Sequence, residues 1–266
     1  MKVKLKVWRQ KNGNALGQFK TYETPELNEN MSFLEMLDVL NEDLAVKGEE
    51  PIAFDHDCRE GICGTCSLVI DGKPHGPHKG IATCQTYMRS FSDGDLICVE
   101  PFRAKAFPLI KDLVTDVSWN YKVNKKIPAF QPRPNIEWKM DQRDVDRVQE
   151  FRKCIECFLC QDVCHVLRDH EKHQNFVGPR FFVRTAGLEM HPLDGVSRTA
   201  LLKNELGLGY CNITKCCSEV CPEEIHITDN GIIPLKERVV DKFYDPFGWF
   251  WRWLKRRQDR QSPKSV

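Results

Sequence analysis

In the first seven residues, Met1-Lys-Val-Lys-Leu-Lys-Val7, charged and apolar side chains alternate, the period of two expected of a strand with one buried face. This stretch extends over 2–8, and further strand-like stretches follow at 17–22, 67–70 and 96–99. One helical pattern lies among them. Ser32 is placed to cap it, Glu35 three residues on completes a capping box, and Phe33, Leu34, Leu37 and Leu40 supply an apolar face. Residues 123–134 contain Pro128, Pro132 and Pro134 and little periodicity, which reads as an ordered connector. From Asp141 the period lengthens to that of a helix, with Val145, Val148 and Phe151 leading directly into Cys154. The pattern divides the chain into a strand-rich part at 1–112, a connector at 113–140, a helical part at 141–240 and a tail at 241–266.

Bulk properties narrow the function classes. A chain of 266 residues is long enough for about two domains. Its hydrophobic fraction of 41% gives each half a modest core, so bound metal would help hold the fold. Lys and Arg number 39 against 38 Asp and Glu, a balance that gives no support to nucleic-acid binding. No window approaches the roughly 18 apolar residues of a membrane span. The alternating start is unlike a secretory signal, so the 13 cysteines are expected to be reduced thiolates in the cytoplasm rather than disulfides.

Eleven of those cysteines fall into two patterns. Cys58, Cys63 and Cys66, followed by Cys84, have the plant-type spacing for a [2Fe–2S] cluster. In the loop that carries them, Gly61 and Gly64 let the backbone curl around a cluster and aim its amides at sulfur. Zinc also takes C-x2-C pairs, but a four-residue gap in a glycine-lined loop is unusual for it. The second pattern, Cys154, Cys157, Cys160 and Cys164, answered by Cys211, Cys217 and Cys221-Pro222, is the bacterial two-cluster spacing. There the fourth cysteine of each run serves the other cluster. Cys154, Cys157, Cys160 and Cys221 are therefore assigned to a [4Fe–4S] cluster, and Cys164, Cys211 and Cys217 to the second. Thr214 stands where that second cluster's fourth ligand would be, and three thiolates favour [3Fe–4S]. Cys216 is an alternative fourth ligand, although helical spacing points it elsewhere. Such a chain is an α+β protein: a plant-type ferredoxin β-grasp domain, then an α-helical bacterial-type two-cluster ferredoxin domain.

Some residues admit plainer readings. His75 and His78 lie among Gly and Pro and read as exposed turn histidines rather than ligands. Cys98, in the apolar stretch Leu96-Ile-Cys-Val99, reads as a small buried residue. No nucleophilic triad or phosphate loop stands out, so substrate chemistry is expected elsewhere.

Taken in order, Cys58-Arg-Glu-Gly-Ile-Cys63-Gly-Thr-Cys66, Cys154-Ile-Glu-Cys157-Phe-Leu-Cys160, Phe176-Val-Gly178-Pro179 and Cys217-x3-Cys221-Pro222 resemble the iron–sulfur subunits of the succinate dehydrogenase/fumarate reductase family. The resemblance covers roughly residues 2–235. It implies a flavoprotein partner whose FAD interconverts succinate and fumarate, with relay through [2Fe–2S], [4Fe–4S] and [3Fe–4S] clusters to quinone at a membrane anchor. The subunit would then lie on the cytoplasmic face of the inner membrane, peripheral and held by the anchor. No catalytic residue is assigned to this chain.

Departures from the family pattern fall near the third cluster. His165 replaces the usual Pro, Arg168 and Asp169 replace a Trp pair, and Asn212 replaces a His. The family's quinone residues therefore do not carry over. His165, His170 and His173 suggest a proton relay, but a polar, partly solvated helix face is the simpler expectation. In the tail, Phe247, Trp249, Phe250, Trp251 and Trp253 stand beside Arg252, Lys255, Arg256 and Arg257, a composition suited to the membrane headgroup zone or to a partner surface. Three alternatives remain: a fumarate reductase working in reverse, thiol-linked relatives included; a soluble multi-cluster ferredoxin carrier; and a zinc-stabilised binding module. Thiol-linked reductases commonly carry further cysteine-rich segments, and soluble carriers are usually small and acidic. Neither trait is present here.

Overall fold

The computed structural model describes residues 1–246 and Gly248. The N-terminal half is a five-stranded mixed sheet with a helix laid across it. Strands β1 (Lys4–Arg9) and β2 (Gln18–Glu23) pair antiparallel, with Leu5 opposite Tyr22. Helix α1 (Phe33–Val46) follows, then the short strands β3 (Val69–Ile70) and β4 (Lys73–Pro74) and the longer β5 (Leu96–Glu100). The spatial order is β2-β1-β5-β3-β4, with β1 and β5 parallel. This is the β-grasp arrangement expected of the first domain. The predicted capping box is present: the Ser32 amide donates to Glu35 Oε2 at 2.6 Å, and the Glu35 amide donates to Ser32 Oγ at 3.2 Å.

Alternation decides the core. Leu5, Val7, Ile97 and Val99 face α1, whose Phe33, Leu34, Met36, Leu37 and Leu40 are almost wholly buried. Cys98 does not join them. Lying between Ile97 and Val99, it points to the opposite sheet face and is only half-buried; the period of two overrides its apolar character.

The chain then forms a hairpin of β6 (Leu109–Lys111) and β7 (Val114–Thr115), and helix α2 (Ser118–Asn124). The C-terminal half comprises α3 (Gln142–Gln149), α4 (Leu159–Asp162), α5 (His165–Arg168), α6 (Pro179–Glu189), α7 (Thr199–Asn204), α8 (Cys216–Glu219) and α9 (Ile233–Phe243). A π-helical turn at Ile227–Ile232 leads into α9. Phe151, Leu167, Phe176, Phe182, Ala186, Leu202 and Leu235 make its core. None of the described helices is long and apolar enough to cross a membrane. The aromatic–basic stretch from Phe247 onward lies outside the described residues, Gly248 apart.

Two polar anchors fix the halves and the connector. The buried Asp162 carboxylate accepts the amides of Arg103 at 2.7 Å and Ala104 at 2.9 Å, tying α4 to the end of the first half. Arg198, 1% exposed, donates to the carbonyls of Pro128 and Ala129 in the connector and pairs with Asp194 at 2.8 Å. Removing one partner of a buried pair leaves the other charge uncompensated. Arg198→Ala is therefore expected to destabilise the protein by about 3–5 kcal/mol, read as a lowered denaturant midpoint.

Candidate iron–sulfur cradles

The first loop turns its backbone amides toward sulfur. Glu60 and Ile62 donate to Cys58 Sγ at 3.2 and 3.4 Å, Cys58 to Cys63 Sγ at 3.3 Å, and Gly61 to Cys84 Sγ at 3.2 Å. Thr65 Oγ1 lies 3.1 Å from Cys63 Sγ. Gly61 has φ +76°, and a Cβ there would meet the Gln85 side chain at 2.5 Å. The Cys66 thiol donates to Cys84, which pulls Cys84 down to about 6 with help from the Gly61 amide, while Cys66 is pushed up by that bond and by burial. Burial alone would raise Cys63, but the Thr65 hydroxyl and the amides of Thr65 and Cys58 hold it below the usual thiol value. All four cysteines thus meet at one loop and one 3-10 turn, Thr83–Gln85.

The two later runs share one backbone. In the first, Glu156 and Phe158 have φ of 58° and 60°; in the second, Ile213 and Lys215 have φ of 63° and 64°. In each run these left-handed residues stand two and four positions after the first cysteine, and a one-turn helix, α4 or α8, follows. Thr214 accordingly occupies the place of Cys157, and Cys216 that of Leu159.

Thiol neighbourhoods overlap between the two later cradles, for Cys160 feels Cys157, Cys154, Cys217 and Cys221, and Cys216 lies near both Cys164 and Cys217. Burial pushes Cys157 up to about 12, and the charges of Cys154 and Cys221 add to this. Burial also raises Cys164 to about 12 and Cys217 to about 11; their thiol neighbours are Cys216 and Cys217 in one case, Cys216 and Cys211 in the other. Loading such thiols with metal must expel their protons. Thr228 Oγ1 lies 3.4 Å from Cys217 Sγ. Cys216 reaches the Thr214 hydroxyl at 3.5 Å. Among the described residues no three His, Cys, Asp or Glu side chains converge tightly enough for a single metal ion.

The first and second cradles touch back to back. A Cβ on Gly64, whose φ is +72°, would lie 2.2 Å from the Ile155 carbonyl and 2.8 Å from the Cys157 amide. Beside it, Ser67 Oγ donates to the Cys157 carbonyl at 2.9 Å. Neither contact across 90 residues has a signal in the sequence. Gly178, φ +88°, has an equally steric reason: a Cβ there would meet Gln161 Oε1 at 2.0 Å, and Gln161 is fully buried, donating to the Val177 carbonyl at 2.8 Å.

His75 corrects the sequence reading. It is 1% exposed, and its Nδ1 accepts the Thr83 amide at 3.1 Å, so the ring braces the turn that presents Cys84. Gly and Pro neighbours mark the turn but not the direction in which the ring points. His78 is exposed and bonds Ser90 at 2.8 Å. His170 is exposed, whereas His165, beside Cys164, keeps its Nε2 buried and its Nδ1 3.4 Å from the Thr214 hydroxyl.

The fold and cradles define an iron–sulfur protein with a [2Fe–2S] domain followed by a dicluster domain. Residues 4–122 match the family model of a 2Fe-2S iron-sulfur cluster binding domain, and residues 150–225 that of a 4Fe-4S dicluster domain. A chain of the Mycobacterium smegmatis Sdh1 complex in the apo form is 47% identical, with a TM-score of 0.82, over 92% of this chain and 98% of that one. The succinate dehydrogenase iron-sulfur subunit of Bacillus subtilis is 26% identical over 80% of this chain and 83% of its own length. An uncharacterized iron-sulfur protein of Methanocaldococcus jannaschii is 29% identical over 86% of this chain, which spans only 43% of that longer relative. The chain belongs to the succinate dehydrogenase/fumarate reductase iron–sulfur subunits.

Two predictions follow from these contacts. Burial holds His75 down at about 3, against about 6.5 when unfolded, so the unfolded chain binds the extra proton between those values. Its contribution to stability is intact above about pH 6.5 and is lost as pH falls, by about 2 kcal/mol at pH 5. His75→Asn should show a correspondingly smaller loss between pH 7 and 5 in denaturant titrations. Separately, Gly64→Ala should force the touching cradles apart and slow electron passage between the first two centres in freeze-quench spectra. Gly48→Ala, also at positive φ (+70°) but with open space around it, should not.

Proposed function

We propose that this chain is the electron-relay subunit of a succinate:quinone oxidoreductase, taking electrons from the FAD of a flavoprotein partner and delivering them to quinone at a membrane-anchor interface. Cys58, Cys63, Cys66 and Cys84 hold a [2Fe–2S] cluster. Cys154, Cys157, Cys160 and Cys221 hold a [4Fe–4S] cluster, and Cys164, Cys211 and Cys217 hold a [3Fe–4S] cluster. When bound, these groups supply one-electron transfer; the chain supplies their spacing, their burial and the hydrogen bonds that set their potentials.

The observation that carries the reading is the repeated backbone with Thr214 in the place of Cys157. It leaves one cradle with three thiols in a loop otherwise shaped for four. Donors from Gly61, Ile62 and Thr65 in the first cradle, and from Thr228 in the third, stabilise added negative charge on sulfur and so raise the potentials there. Ile62, 66% exposed at the tip of the first loop, offers the flavoprotein an apolar contact beside the first cluster. At the far end, Phe243 and Tyr244 are exposed with Lys203 Nζ 4.5 and 4.6 Å from their ring centroids. Aromatic rings beside lysine suit a membrane surface, and they lead toward the aromatic–basic tail. The subunit thus sits peripherally on the cytoplasmic face of the membrane, against an anchor. Succinate oxidation and fumarate reduction use the same parts, and the quinone's potential selects between them.

Low-temperature EPR of the purified complex tests this reading. A [3Fe–4S] signal is expected after air oxidation, with [2Fe–2S] and [4Fe–4S] signals after dithionite. Thr214→Cys should replace the oxidised-state signal with a second [4Fe–4S] signal, and Cys216→Ser should leave it unchanged. Loss of the [3Fe–4S] signal in Cys216→Ser would sink the ligand assignment.

A further inference from the structure

On the outer side of the 154–160 loop lies a cleft of about 540 Å³, bordered by Cys154, that the relay itself does not use. Three guanidinium groups enter it, from Arg152, Arg180 and Arg184, against one carboxylate, Glu156. Arg180 is 5% exposed and ion-paired to Glu156, yet its Nε is buried without an acceptor. The Nε of Arg184 is likewise buried and unpaired. Neither Arg152 nor Arg184 has an ion-pair partner among the described residues. An unmet buried donor costs about 1–3 kcal/mol, and the two guanidinium groups that line this cleft keep donor capacity that Glu156 alone does not meet. The walls are apolar: Phe130, Phe151 and Trp138, the last 68% exposed. The volume is that of a small-molecule site and far exceeds a bare anion.

We propose that this cleft binds a small organic carboxylate with an apolar body, its oxyanion on Arg180 and Arg184 and its body against Trp138 and Phe151, and that occupancy lowers the reduction potential of the centre at Cys154. The second clause rests on the assignment of a [4Fe–4S] cluster there. A planar carboxylate matches the guanidinium fork. It adds one negative charge beside the cluster, where a phosphate would add up to two. The positive charge of Arg180 already acts on the Cys154 sulfur, against the effect of burial. That charge favours the reduced, more negative centre, Glu156 offsets part of it, and a bound carboxylate adds further negative charge. By linkage the carboxylate binds the oxidised form more tightly, by the factor with which it shifts the reduction equilibrium.

The test uses the assembled complex and the midpoint potential of its [4Fe–4S] EPR signal. Benzoate is the probe, benzyl alcohol its uncharged counterpart, and acetate the headgroup without the body. Benzoate is expected to lower the midpoint saturably, by about 59 mV for each tenfold preference for the oxidised form. Benzyl alcohol should have no effect, and acetate should act only at higher concentration. Arg184→Gln should weaken benzoate roughly tenfold, the loss of one charge-assisted hydrogen bond. Trp138→Ala, on the exposed wall, should weaken benzoate and leave acetate unchanged. No benzoate-dependent shift, or a shift unaltered in both variants, overturns the site. A missing [4Fe–4S] signal overturns the cluster assignment and takes the redox coupling with it, whereas an intact signal that ignores benzoate removes the site alone.

Discussion

A loop that wraps a metal–sulfide cluster must turn its N–H groups inward, and an L-residue backbone can do so only by passing through left-handed conformations. The rest of this structure depends on that constraint. In the first loop Gly61 and Gly64 meet it without steric cost, and Arg59 joins them at φ 57°. The two later runs meet it with Glu156, Phe158, Ile213 and Lys215, non-glycine residues at a cost of about 1–3 kcal/mol each. Such strain persists only where the surroundings hold it, and here the runs lie against the buried Cys157, Cys160, Cys164 and Cys217.

A relay also requires its centres to keep their separation. Gly64 against Ile155, Ser67 against Cys157, and Asp162 against Arg103 and Ala104 join the halves by backbone and short polar contacts, with little side-chain freedom left to absorb motion. Arg198 does the same for the connector. The proline-containing segment is a strap rather than a tether, because its carbonyls are the acceptors of a fully buried guanidinium.

Much of the site could be read from the chain alone, since cluster ligation is set by short spacings. Cys58, Cys63 and Cys66 span nine residues, and Cys154 to Cys164 eleven; over such distances the loop geometry follows from ligand count and left-handed turns. The capping box of Ser32 and Glu35 was equally legible, because both partners lie within one helical turn. Cys98 and His75 were misread for a common reason. Composition gives a residue's character, but its direction depends on the register of β5 and on the turn that carries Cys84.

By itself the sequence determined the strand alternation, the capped helix, the spacing of the cysteine runs and the presence of Thr214 where the first run has Cys157, all consequences of local periodicity and spacing. Only the tertiary structure decided that the first two cradles touch, that Arg180 is buried beside Cys154, and that His75 braces Cys84's turn. Those are contacts between segments distant in sequence, or a ring direction that packing selects, and neither leaves a periodic trace along the chain.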